Sequence, residues 1–401
     1  MMKLEQHTRD MILQLYQSGI KPLLVREDDV MYLRDPVVRV RRYRVVAELV
    51  KTLVRLKLQE EKGVVDQLCA FLLRGQNEDG SWNELHPHYD QPSALVTSLV
   101  GEALLLVYHV TPRAEWEQPL EKARDYVLSM EDTPGYFIKS RLYREDHLNV
   151  DAACGSFVSL YDEVFSDQQC REAAVRAARH VCDHQQMDGS YPYRVGKQGS
   201  AYLFNVPCVH YQGVTLHYLC GIAPALEEPW FVESVQRGGR WLVERQRESG
   251  RFDWSGSGLM LALYLTGAYG FACSSFLFLS RFDERFTEYA QRCLGMLARN
   301  MNGLCLRWEK DSWWSLPGAV PVSLASACFN GFPLRHRVFL LGYRLYREVA
   351  RRRYACVLDD RLFHGLVERF GWTVSTVEPF ANYPDVFMTT EVMECLSAHL
   401  T

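Results

Sequence analysis

An all-α ring of about six helical hairpins is the fold class this sequence predicts, on three observations. A seven-residue pattern, Gln-x-x-Asp-Gly-Ser-aromatic, occurs at residues 76–82, ending in Trp82, and again at 185–191, ending in Tyr191. A weaker third copy runs from Gln246 through Ser249 and Gly250 to Phe252. Self-similarity along a chain marks a repeat architecture rather than a layered one. Around these copies two kinds of apolar segment alternate: some are amphipathic with charges along one side, others apolar nearly all round. Four of the second kind open with a proline (Pro92, Pro207, Pro321 and Pro384). Proline suits a first helical turn, where its missing N–H would be unpaired anyway.

In chain order, a helix over 37–58 precedes the first unit and is expected to pack outside the ring. It belongs to an N-terminal extension of residues 1–60, and residues 61–401 form the ring domain. Six units follow, each an outer helix, a turn and an inner helix. Outer helices are expected from near Val64, Leu120, Cys170, Phe231, Phe286 and Val357, and inner ones from near Pro92, Asn149, Pro207, Ser257, Pro321 and Pro384. Segments 121–128 and 233–246 show the charged face of the outer type. Segments 94–107 and 209–222 show the all-round apolar pattern of helices packed on both sides. Glycine- or proline-rich loops interrupt the array around 195–205 and 312–321, but no low-complexity linker divides it.

The chain has 401 residues, 48% hydrophobic and 23% charged, as expected of a globular protein with a large core. A net charge of -4 provides no basic stripe and argues against nucleic acid as a partner. The basic runs at 39–44 and 351–353 read as solvated helix faces. The N-terminal residues lack the basic-then-apolar order of a signal peptide, and no apolar run is long enough to span a bilayer. The 12 cysteines are scattered singly, as reduced buried thiols would be, so the expected location is cytoplasmic.

The repeated pattern is turn chemistry. Asp closes a side-chain-to-backbone turn, Gly accepts positive φ, Gln can bond free groups at a helix end, and the aromatic ring covers the junction. Residues 76–82 and 185–191 also resemble the QW motif of the squalene–hopene and oxidosqualene cyclases. Those proteins belong to the α/α-toroid group, with class II diterpene cyclase domains and protein prenyltransferase β subunits. The resemblance covers residues 60–400 and implies a single (α/α)6 toroid with an extra N-terminal helix. Similar Asp-Gly-aromatic turns occur in glycan-processing toroids.

In such a ring the N-termini of the inner helices converge on one mouth of the central cavity. The segment Asn149-Val150-Asp151-Ala152-Ala153 is similar to the cyclases' Asp-x-Asp-Asp-Thr-Ala box and keeps its middle acid, as Asp151. The resemblance implies that Asp151 protonates an isoprenoid. The residues themselves read more simply, with Asn149 as N-cap and Asp151 complementing the helix dipole. His210 is the second catalytic candidate. It is seven residues from His217, about 10 Å along one inner helix, too far for both to ligate one metal. Asp90, Tyr211, His217, Asp253, Trp254, Trp313 and Tyr383 complete the expected lining. No metal or cofactor is expected: His86-x-His88-x-Asp90 is a weak ligand pattern, and Asp359-Asp360 lacks a third acid.

The expected activity is protonation-initiated, class II-type cyclisation of an apolar isoprenoid, with a peripheral membrane contact as a secondary expectation. The alternatives are a glycan-active toroid enzyme (hydrolase, lyase or epimerase) and a non-catalytic binding ring. Cavity character separates them. An apolar cavity fits the isoprenoid, a polar groove with carboxylates the glycan, and a filled centre the binding ring.

Overall fold

A computed structural model describes residues 2–35, 40–86, 89–195, 208–226, 228–253, 266–307, 309 and 384–400. Among them are twelve α-helices and four two-stranded antiparallel hairpins. The inner ring consists of α2 (Tyr43–Leu56), α4 (Ala94–Val110), α6 (Leu148–Phe165), α8 (Val209–Ile222), α10 (Gly267–Leu279) and α12 (Val386–Ser397). Each packs on the next, and α12 closes back on α2. The outer layer is α3 (Lys62–Arg74), α5 (Ala114–Ser129), α7 (Gln168–Asp183), α9 (Pro229–Arg245) and α11 (Phe286–Arg299), each against the inner helix before it. The first helix, α1 (Met2–Gln14), packs against α12. The fold is an all-α (α/α) toroid.

The helix expected outside the ring is therefore one of its inner members, α2, and N-terminal α1 backs the C-terminal inner helix. Its position follows from its side chains. Val45, Val46, Leu49, Val50 and Leu53 are buried, and so are Glu48 and Lys51, whose charges meet partners across the lumen. The inner helix expected from Ser257 is α10, which begins ten residues later, at Gly267. The inner helix expected from Pro321 and the outer helix expected from Val357 lie outside the described residues.

The repeated motif acts as a clasp to the next outer helix. Gln76 Nε2 donates to Gly80 O at 3.0 Å and to Pro119 O, on α5, at 2.8 Å. Gln185 Nε2 donates to Gly189 O at 3.0 Å and to Ser234 O, on α9, at 2.9 Å. Asp79 and Asp188 each accept from the backbone N–H and hydroxyl of the following serine. Trp82 and Tyr191 are almost wholly buried. Gly80 and Gly189 both sit at φ +89°, where a Cβ would strike the backbone of Lys122 or Arg237. The weaker copy makes the same contact, with Gly250 at φ +84° against Arg292. A fourth clasp carries no motif. In the hairpin β5 (Glu131–Thr133)–β6 (Tyr136–Phe137), Gly135 at φ +84° meets Arg176 on α7, and Glu131 replaces the glutamine by pairing with Arg176.

Candidate functional site

The axis of the ring is charged. One stripe of α2 presents Arg44, Glu48, Lys51 and Arg55 at helical spacing, and α4 and α12 face it with Glu102, Glu391 and Glu394. Arg44 pairs with Glu48 at 2.7 Å and with Glu391. Lys51, fully buried, pairs with Glu102 at 2.9 Å and Glu394 at 3.0 Å. Arg55 pairs with Glu394 at 2.8 Å, and Thr390 donates to Glu48 at 2.7 Å. Among the described residues three cations of this network thus face four carboxylates, and one proton makes it neutral.

That proton resides on the Arg44 side. Burial, followed by the Glu48, Asp385 and Glu394 carboxylates, pushes Glu391 up to about 8 against the pull of Arg44. Glu48 is raised as well, again chiefly by burial. The direct Arg44 contact alone would lower both. Burial prevails because one guanidinium is shared by two enclosed acids. Glu394 goes the other way: burial raises it, but Lys51, His217 and Arg55 outweigh that and hold it well below the usual range.

At the N-terminal mouth, Glu391 Oε2 and His210 Nδ1 are buried without a hydrogen-bond partner among the described residues. Both face the start of α10, where a Cβ on Gly267 would lie 2.5 Å from Glu391 Oε2 and 3.6 Å from His210 Cε1. Burial, then Arg44 and Arg307, lower His210 to about 3, so its ring is neutral. Beside it the rings of His147, Tyr193 and Tyr211 form a column, with centroids 4.8 and 4.0 Å apart. A cavity of about 190 Å³ is lined, among others, by Arg42, Tyr43, Glu84, Arg307, Phe387 and Arg44, the partner of Glu391; Glu391, His210 and Tyr211 are not themselves among its lining residues. Asp385 caps α12 and pairs with Arg307 at 2.8 Å.

A larger cleft, about 630 Å³, lies at the opposite mouth, among the C-terminal halves of the inner helices. Its floor holds Glu102, His217, Ser274, Glu394 and His399, and its walls include Leu160, Leu226, Phe231, Val235, Phe278 and Phe282. Ser274 Oγ lies 2.8 Å from His217 Nδ1 and 2.8 Å from His399 Nε2, and His217 Nε2 lies 3.2 Å from Glu394 Oε2.

The expected site residues separate. His210 and Tyr211 meet at the N-terminal mouth, whereas His217 belongs to the far cleft. Asp151 is fully buried between α6, β6 and α7 and lines neither cavity. Its Oδ1 accepts the Phe137 N–H at 2.7 Å. Burial first, and Asp146 second, raise its carboxyl well above the usual range. A proton shared with Asp146 answers the otherwise partnerless oxygens of both. The helix dipole thus loses to burial at this position, and the N-cap of α6 is His147 rather than Asn149. Asp90 is exposed on the hairpin β3 (Asn83–His86)–β4 (Tyr89–Pro92), where it accepts from Asn83 at 2.5 Å. Asp253 follows α9, 3.7 Å from Arg247. Trp254, Trp313, Tyr383 and His88 lie outside the described residues.

Among the described residues two groups have metal-compatible spacing, Asp146/Asp151/His180 and His217/Glu394/Cys395, with ligand atoms within 4.8 Å of one another. In the second, Glu394 is already neutralised by Lys51 and Arg55, which opposes a cation there. Among the described residues no helix is long and apolar enough to cross a membrane.

Glu391, Glu394, Ser274 and His399 were not singled out by sequence reasoning. The available signal was a set of isolated acids inside otherwise apolar inner segments, such as Glu102 within α4.

No protein-family model matches the sequence, and no curated protein matches it. Solved structures do. An unsaturated glucuronyl hydrolase specific for heparin is 12% identical, with a TM-score of 0.61 over 99% of this chain and 96% of that one. The cellobiose 2-epimerase from Bacillus thermoamylovorans B4167 is 10% identical, with a TM-score of 0.58 over 74% and 89%. The type II terpene cyclase MstE from Scytonema is 12% identical, with a TM-score of 0.58 over 100% and 99%. At these identities the likeness establishes the toroid fold.

Proposed function

We propose that this protein is a glycan-active toroid enzyme, a hydrolase, lyase or epimerase, acting on an acidic sugar at the N-terminal mouth of the ring. The carrying observation is the charged lumen, in which three cations and four carboxylates stand where an isoprenoid would need apolar walls. Hydrolysis, elimination and epimerisation all need a proton donated at one atom and removed at another. Glu391, raised to about 8 and with its Oε2 lacking a partner among the described residues, is the donor in this reading. His210, neutral and with its Nδ1 lacking a partner among the described residues, is the acceptor. Tyr211, at the end of the aromatic column, offers a ring face for stacking on a sugar, and Arg42, Arg44 and Arg307 offer donors for its carboxylate. Two of the similar solved structures bear the names of sugar-acting enzymes, which supports the same reading.

The test is a thermal-shift and mass-spectrometric screen against uronate oligosaccharides, neutral disaccharides, prenyl diphosphates and squalene-like polyenes. Uronates should stabilise the protein and be converted, and Glu391→Gln should lower turnover at least roughly 100-fold while leaving binding. Conversion of an isoprenoid that depends on Asp151 would replace this reading with the cyclase one.

A further inference from the structure

We infer that the cleft at the C-terminal mouth is a second active site, in which Ser274 is an acyl-accepting nucleophile for esters with an apolar acyl chain. It is separate from the acidic-sugar site, since the charged lumen stands between the two mouths.

The hydrogen-bond directions follow from one charge. Glu394 is ionised among Lys51, Arg55 and His217, so it accepts, and His217 Nε2 carries the proton that it accepts at 3.2 Å. His217 Nδ1 then has the lone pair, and the Ser274 hydroxyl donates to it at 2.8 Å. Ser274 Oγ is left to accept from His399 Nε2–H at 2.8 Å. A serine hydroxyl, a histidine that can take its proton, and a carboxylate that fixes the tautomer of that histidine make up the constellation that activates serine. Here the two imidazole nitrogens exchange roles. That does not alter the chemistry, which is recognised by geometry and roles.

The step balances. Ser274 Oγ attacks the ester carbonyl carbon as its proton passes to His217 Nδ1. His399 Nε2–H, which donates to Ser274 Oγ at rest, turns to the carbonyl oxygen as that oxygen becomes negative. Collapse breaks the bond to the alcohol oxygen, which takes the proton from His217, and the acyl group stays on Ser274. Water then attacks the acyl carbon with His217 again as base, releasing the acid and restoring the serine. Ester and water become acid and alcohol, with no oxidant, metal or cofactor. The walls set the substrate class: Leu160, Phe231, Val235 and Phe278 suit an alkyl chain, and a cleft of about 630 Å³ is of ordinary ligand size. Glu394 acts through His217, whose tautomer it fixes, and is a positioning residue.

The probes are a fluorophosphonate and p-nitrophenyl hexanoate, used with the full chain. The wild-type protein should be labelled at Ser274, mapped by peptide mass spectrometry, and should trap a hexanoyl adduct there on acid quench. Ser274→Ala should abolish labelling and p-nitrophenolate release, and His217→Gln should slow release by roughly 100-fold or more. Glu394→Gln should lower kcat with little change in KM. Ser275→Ala, whose hydroxyl bonds Phe271 O within its own helix, should leave turnover unchanged. A wild-type protein that takes no label at Ser274 would overturn the inference however the variants fold. So would release that persists unchanged in a folded Ser274→Ala. Activity of Glu391→Gln toward the ester separates this site from the sugar site.

Discussion

Glu391 has two strong neighbours that pull in opposite directions, and the outcome can be read as a pH dependence. Its unfolded value is the ordinary 4.5, and its folded value is about 8, raised first by burial. Between these values the folded chain holds a proton that the unfolded chain has released. The contribution of this group to stability is therefore complete below about pH 4.5 and is lost as pH rises through about 8. The slope is at most about 1.4 kcal/mol per pH unit for a single group. Glu391→Gln, which keeps the shape and cannot ionise, should remove that slope and be the more stable protein above pH 8. Urea midpoints at about pH 5, 6.5 and 9 for both proteins check this. A wild-type midpoint that does not fall, relative to the variant, from pH 5 to 9 would place the lumen proton elsewhere.

At the scale of elements, the clasps explain both what the sequence discloses and what it conceals. Gln76, Gly80 and Trp82 recur as Gln185, Gly189 and Tyr191 because both turns must dock on the backbone of the next outer helix, and few residues fit. Gly80→Ala forces a Cβ against Lys122 O at positive φ and should cost about 2–4 kcal/mol. Gly295→Ala, in the exposed middle of α11 with no atom within 4 Å of the new Cβ, should instead stabilise by about 0.5–1 kcal/mol. Thermal midpoints moving in the same direction for the two would refute the clasp account. The hairpin around Gly135 does the same work with Glu131 and an arginine, and there the pattern is invisible because an ion pair has replaced the amide. Inner and outer helices were legible where composition differed, as in α4 and α9. They were not in α2, because charges at helical spacing look alike whether they face water or a lumen. The same ambiguity hid Glu391 and Glu394. Asp151 was legible by resemblance, but spacing along a helix does not say which neighbour it turns toward.

The ring as a whole closes through its most distant parts in sequence. Contacts between α2 and α12 span about 340 residues, as in Arg44–Glu391, Arg55–Glu394 and Thr390–Glu48. Helix α12 also supplies two of the four carboxylates of this network, Glu391 and Glu394, so closure and charge balance are one condition. A chain ending before α12 would leave Arg44, Lys51 and Arg55 facing only Glu48 and Glu102, and would expose the apolar flanks of α2 and α10. Removing one side of a buried ion pair costs about 3–5 kcal/mol, and two acids go at once. That loss is comparable with the whole stability of an ordinary domain, about 5–15 kcal/mol. Truncation after residue 383 should therefore abolish the single cooperative urea transition and yield a dye-binding, loosely packed state. Adding the missing segment as a peptide should restore the transition in part. A truncated chain that unfolds cooperatively at the wild-type midpoint would show that the lumen network follows the ring rather than closing it.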